Sequence, residues 1–96
     1  MANVIKSSGN VFVDLGFEGP EAENLRLRSE LMIELKRIIH AQHLTQNQAA
    51  ELLGIQQSRI SDLVRGKINR FSIDTLVKLL GRAGRCVEMK IKGRAA

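Results

Sequence analysis

Residues 44–67 read LTQNQAAELLGIQQSRISDLVRGK, and this stretch decides the fold. It predicts two short helices joined by a tight turn. Thr45 and Gln48 have the spacing of a capping box, in which a threonine hydroxyl and a glutamine side chain satisfy free backbone N–H groups at the start of a helix. Gly54 follows the first helix, where the chain must turn sharply and a Cβ atom would cost energy.

The second helix of this stretch is apolar on one face and polar on the other. Ile60 and Leu63, three residues apart, form the buried face, and a helix with a polar outer face has the shape that enters the major groove of DNA. The charge distribution agrees, since residues 45–96 contain ten Lys and Arg against four Asp and Glu, whereas residues 1–44 contain five against six. A basic half that carries such a helix is typical of nucleic-acid binding.

The stretch resembles the helix-turn-helix of the XRE family, the Cro and CI type of phage repressor. That family places glutamine at the start of the first helix, then a small residue, then glycine at the turn and two aliphatic residues on the second helix. These positions are met here by Gln46, Ala50, Gly54, Ile60 and Leu63.

The order of segments around the motif extends the resemblance to nearly the whole chain. SGNVFVDLGF, a long helix, the motif, RFSIDTLVKLLGRAG and an alternating VEMKI are similar to the HigA-type antitoxin branch of the XRE family. The resemblance implies a dimer that binds a palindromic operator in double-stranded DNA. It also implies a RelE- or HigB-like toxin, an mRNA-cleaving protein that the antitoxin would bind and whose shared operon it would repress.

The outward side chains of the second helix are expected to read DNA. Gln57 suits adenine and Arg59 suits guanine or a phosphate, while Arg65 suits phosphate contacts, which position the protein. Asp62 is unusual on such a surface. It could accept a hydrogen bond from cytosine, but an ion pair with Arg59 or Arg65 is the favoured interpretation. The predicted DNA-binding residues are Gln46, Gln56, Gln57, Ser58, Arg59, Ser61, Asp62, Arg65, Lys67, Asn69 and Arg70.

The whole pattern predicts a mainly α fold, a phage-repressor-like DNA-binding domain of about five helices with a short C-terminal β-strand. Residues 1–20 form an N-terminal segment that could bind a partner. Residues 21–84 form the helix-turn-helix domain, which opens with a long helix after Pro20. Residues 85–96 form the strand and a basic tail.

The C-terminal strand is predicted from the alternation of Val87, Met89 and Ile91 with charged residues. A lone strand cannot satisfy its backbone groups, so it needs either residues 11–13 or a second copy as its mate. One recognition helix reads only a few base pairs, so we expect a homodimer on half-sites roughly 34–36 Å apart. Its contact is predicted at this strand or at the long first helix, where Leu27 lies off the main apolar stripe.

The N-terminal segment contains an apolar cluster, VFVDLGF, at residues 11–17. The cluster packs either on the protein itself or on a partner. Because apolar anchors rimmed by charge suit a protein interface, the predicted toxin-binding residues are Phe12, Asp14, Leu15 and Phe17.

No catalytic residue, cofactor or metal site is predicted, and an enzyme is not expected. His40 and His43 lack the further ligands that a metal site needs. Cys86 is the single cysteine, which excludes an intramolecular disulfide and indicates a reducing compartment. Without a membrane-length apolar run or a signal sequence, a cytoplasmic protein that joins the nucleoid through its operator is expected.

Three other functions remain open from the sequence. The first is a stand-alone phage-type regulator without a toxin. The second is a protein-interaction module that uses the VFVDLGF cluster and does not bind DNA specifically. The third, an RNA-binding protein, is disfavoured because no stacking aromatic residue is expected near the basic face.

Overall fold

The computed structural model describes residues 15–17 and 19–93. Within these residues the chain forms four α-helices: α1 at Gly19–Ala41, α2 at Gln46–Leu53, α3 at Gln57–Val64 and α4 at Ile73–Arg82. A 3-10 turn at Ile68–Arg70 connects α3 to α4. The mainly helical prediction is confirmed, with one α-helix fewer in the described residues than the five expected.

The core lies where α1 crosses the shorter helices. α1 buries one stripe of side chains at intervals of three, four and seven residues, which is the pattern that lets one face of a helix cover a core. Its main neighbour is α4, and α2 packs against α3. The largest fully buried side chains are Leu35, Leu53, Ile60, Leu63, Phe71, Leu76 and Leu80.

The four α-helices share one way of ending. A residue with positive φ follows each of them: His43 at 52°, Gly54 at 67°, Gly66 at 72° and Gly84 at 80°. After α1, the backbone N–H of Leu44 donates to the oxygen of Ile39 at 3.1 Å, which is the long bond of a Schellman motif. Such a residue reverses the chain at the end of each helix, so that the next segment can pack back against the core.

The predicted C-terminal strand is not found in the described residues, where residues 85–93 have no regular secondary structure. Val87 packs against the core, but Met89 is 73% exposed and Ile91 is 91% exposed. An extended segment becomes a strand only when a second backbone pairs with it, and no described segment does so. The other proposed mate, residues 11–13, lies outside the described residues.

Candidate nucleic-acid interface

The first helix of the motif, α2, begins with the capping box that the sequence predicts. The backbone N–H of Gln48 donates to Oγ1 of Thr45 at 3.1 Å, and the backbone N–H of Thr45 donates to Oε1 of Gln48 at 2.9 Å. This reciprocal pair fixes the first turn of α2. Gln46 is exposed at that turn, in the position expected for a phosphate contact.

Arg82, which no sequence pattern indicates, lies against the turn between α2 and α3. Gly54 has a left-handed backbone, and the N–H of Ile55 donates to the oxygen of Ala50 at 3.1 Å. The guanidinium of Arg82, from α4, lies against Gly54, so that a Cβ atom at this position would overlap Nη1 of Arg82. A cation at the carboxyl end of α2 is also favourable for the helix dipole. No spacing in the sequence links residues 54 and 82.

The second helix of the motif, α3, presents the polar face that the sequence predicts. Ile60 and Leu63 are fully buried and therefore fix how the helix is turned. Opposite them lie exposed or half-exposed polar side chains: Gln57, Ser58, Ser61 and Arg65. Gln56 is exposed just before the first turn, as the N-cap residue. Val64 is 39% exposed at the edge of this face.

Arg59 lies at the flank of α3 rather than on its outer face. Its guanidinium carbon lies 4.5 Å from the centre of the Phe71 ring, within the range of a cation–π contact. Phe71 itself is only 2% exposed. It is therefore an aromatic residue near the basic face, but its ring is covered and is not free to stack on a base. No spacing in the sequence links residues 59 and 71.

Asp62 forms an ion pair, but not with the predicted partner. Its Oδ1 lies 3.6 Å from Nζ of Lys67, so the expected pairing with Arg59 or Arg65 is wrong. The chain reverses at Gly66, and the N–H of Lys67 donates to the backbone oxygen of Asp62 at 3.0 Å. This reversal brings Lys67 back over the last turn of α3. Part of the positive charge of Lys67 is consequently neutralised.

The 3-10 turn carries Asn69 and Arg70, which are both exposed and lie beyond the end of α3. Arg28 of α1, which the sequence analysis did not single out, donates from Nη1 to the backbone oxygen of Ile68 at 3.2 Å. The polar residues of α3, Gln46 on one side and this turn on the other form the candidate nucleic-acid interface.

The other predicted residues lie away from this interface. Leu15 is 68% exposed and Phe17 is 39% exposed, just before α1, whereas Phe12 and Asp14 lie outside the described residues. Leu27 is also partly exposed, on the side of α1. In the described part of the chain, no three His, Cys, Asp or Glu residues are close enough together to hold a metal ion.

Two glutamates in the first half of α1 pair with an arginine of the same helix. Arg26 pairs with Glu23 and with Glu30. The hydrogen bond to Glu23 raises the pKa of Arg26, and the negative charges of both carboxylates act in the same direction against its partial burial. Glu21 is exposed in the first turn of α1. Glu23 and Glu30 therefore offer less negative charge to a partner than the sequence suggests.

Comparison with known proteins decides the family. The family model of the helix-turn-helix domain matches residues 11–92, and a solved structure named as an XRE-family transcriptional regulator is 34% identical, with a TM-score of 0.74. The chain belongs to the XRE family of helix-turn-helix proteins. The match to that structure covers 80% of this chain and 91% of the other. No curated protein matches the chain significantly.

Membership of the XRE family confirms the helix-turn-helix prediction. The chain is a DNA-binding helix-turn-helix regulator of XRE type. None of the helices in the described residues is both long enough and apolar enough to cross a membrane.

Proposed function

We propose that this XRE-family protein is a sequence-specific repressor that binds a palindromic operator as a homodimer. The carrying observation is the outer face of α3, where Gln57, Ser58 and Arg65 are exposed above a buried Ile60 and Leu63. Glutamine and serine on such a face can read base edges in the major groove. Because the buried pair fixes the helix, those side chains enter the groove in one orientation.

Phosphate contacts from both sides of α3 complete the proposed footprint. Gln46 stands at the start of α2, where backbone N–H groups and the helix dipole favour a phosphate. Asn69 and Arg70 stand on the 3-10 turn at the other side. Two such surfaces, related by two-fold symmetry, fit two half-sites about one DNA turn apart. The proposal includes no catalytic activity and places the protein in the cytoplasm with the chromosome.

Selection of bound sequences from a random duplex pool tests the proposal. We expect the enriched sequence to be a palindrome, and affinity for it to fall steeply with salt. Gln57→Ala should relax discrimination at one position of each half-site, by about 1–3 kcal/mol. Asn24→Ala removes an exposed amide from α1 and serves as the matched control. Enrichment of no sequence, or equal behaviour of the two variants, would contradict the repressor proposal.

We further propose that the protein is the antitoxin of a HigBA-like pair. The resemblance of the whole chain to HigA-type antitoxins supports this role, as do the exposed Leu15 and Phe17. Since Arg26 neutralises Glu23 and Glu30, apolar contact rather than charge would supply most of the affinity for a RelE-like toxin.

Co-expression tests the antitoxin role. A toxin gene beside the gene for this chain should arrest growth, and the intact protein should restore it. A variant that lacks residues 1–17 keeps all of α1, so it should still bind the operator but fail to restore growth. Full rescue by this variant would place the toxin contact elsewhere. Absence of a neighbouring toxin gene would favour the stand-alone regulator, which shares the same DNA site.

A further inference from the structure

Arg28 of α1 makes an unusual contact with the backbone beyond the recognition helix. Its Nη1 donates to the oxygen of Ile68 at 3.2 Å and to the oxygen of Phe71 at 3.5 Å. Its Nε is buried and has no hydrogen-bond partner in the described part of the chain. A buried N–H without a partner is unfavourable. The unpaired Nε therefore offsets part of what the two Nη1 hydrogen bonds contribute to stability.

The two oxygens that Arg28 holds belong to the two ends of the 3-10 turn. This turn is three residues long and has no side-chain cap. The N–H of Arg70 donates to the oxygen of Lys67 at 3.0 Å, but the bond that closes the turn, from the N–H of Phe71 to the oxygen of Ile68, is longer at 3.4 Å. Because one guanidinium nitrogen reaches both ends, Arg28 sets the spacing across the turn. Asn69 and Arg70 lie between those ends and depend on that spacing for their direction.

The Arg28 contact with Phe71 also links α1 to the recognition helix, α3. Phe71, whose backbone oxygen Arg28 holds, carries the ring on which the Arg59 guanidinium rests at 4.5 Å. A shift of Phe71 would therefore move Arg59, while a shift of the turn would move Arg70. One residue of α1 is thus linked by contacts to a group on α3 and to a group on the turn.

We infer that Arg28 is a positioning residue for DNA recognition, which holds the 3-10 turn and the Phe71 ring without touching DNA. The inference rests on the proposed function. Its consequence is that removal of the Arg28 guanidinium should weaken operator binding through Arg70 and Arg59, even though Arg28 lies on a different helix.

Arg28→Met keeps the apolar stem and removes every donor. Lys78→Met is the matched control, because Lys78 is an exposed cation of α4 that pairs with Asp74, and its loss changes the net charge equally. For Arg28→Met we expect an operator Kd about tenfold higher, with a salt slope shallower by about one, as when one phosphate contact is lost. For Lys78→Met we expect a change of about twofold or less, as for the loss of one exposed surface charge.

A double-mutant cycle shows whether Arg28 acts through the turn. If it does, Arg28→Met should weaken binding much less in an Arg70→Ala background than in the wild type. Amide exchange at Phe71 should also speed up in Arg28→Met and stay unchanged in Lys78→Met. This exchange measurement needs no DNA and shows whether the variant remains folded elsewhere.

Additive effects of Arg28→Met and Arg70→Ala would overturn the inference, as would equal Kd values and salt slopes for the two methionine variants. A wild-type protein that selects no duplex would overturn the proposed function before any variant is compared. A wild-type protein that binds its operator no better than Arg28→Met does would overturn the role of Arg28 alone.

Discussion

Alanine at Gly54 and alanine at Gly66 should destabilise the protein by different amounts. Both glycines have a left-handed backbone, with φ of 67° and 72°. An alanine in this region costs about 1–2 kcal/mol, of which about 0.5–1 kcal/mol is recovered because the unfolded chain becomes less flexible. At Gly66 the new Cβ would meet nothing within 4 Å, whereas at Gly54 it would displace the Arg82 guanidinium. Loss of that cation from the end of α2 adds about 0.3–1 kcal/mol.

We therefore expect Gly66→Ala to lower the free energy of unfolding by about 0.5–1 kcal/mol and Gly54→Ala by about 1–2 kcal/mol. Urea unfolding followed by circular dichroism measures both values, and for a domain of this size each 1 kcal/mol shifts the Tm by about 4–8 °C. In an Arg82→Met background the excess at Gly54 should disappear. Equal losses at the two glycines would refute the reasoning, since they would show that Arg82 does not stabilise the turn.

Three further substitutions have clear expected results. His43 has a left-handed backbone, with φ of 52°, which is strained for a residue with a Cβ atom. His43→Gly should remove this strain and raise the free energy of unfolding by about 0.5–1 kcal/mol in thermal melts. A lower Tm would mean that the His43 side chain stabilises the end of α1. Phe71→Leu should lower the free energy of unfolding by about 1–2 kcal/mol. It should also weaken operator binding more than a core substitution of equal cost, such as Leu76→Val. Equal operator Kd values for the two variants would show that the Phe71 ring does not position Arg59. Met89→Ser combined with Ile91→Ser should convert the proposed dimer to a monomer in sedimentation. The fold should be kept, because both side chains are exposed in the single chain. An unchanged dimer would place the contact on α1 near Leu27.

Features that depend on near neighbours in the chain could be predicted from the sequence. The capping box joins Thr45 to a residue three positions away, and the buried face of α3 follows from the spacing of Ile60 and Leu63. Such patterns repeat in every helix, because the helix geometry fixes which positions face each other. The location of the recognition helix therefore followed from the order of the residues.

Contacts between distant residues could not be predicted in this way. Arg28 reaches oxygens 40 and 43 positions further along the chain, and no periodicity relates those positions. The error at Asp62 has a more local cause. Pairing three or four residues apart holds along a helix, but the guanidinium of Arg59 lies on the Phe71 ring. Arg65 follows the end of α3 at Val64, and the reversal at Gly66 brings Lys67 to Asp62 instead.

The C-terminal residues show where a periodic pattern stops being informative. Alternation shows which side chains would share a face if a strand formed, and Val87 does lie on the protein side. It does not show whether a second backbone is present to pair with. The segment from 85 to 93 is without regular structure, so the alternation of its residues does not by itself make a strand.

The two helices of the motif are too short to hold their own shape. α2 and α3 have eight residues each, well below the length of about 12–15 residues at which an isolated helix becomes marginally stable in water. Their direction therefore comes from the core beneath them and from the turns at their ends. The polar face of α3 contributes little to that support, since Gln57 and Ser58 are exposed. Substitutions on this face can consequently change the base preference while the fold is kept. Substitutions at the turns instead change the orientation of α3 and so lower the affinity for every DNA sequence.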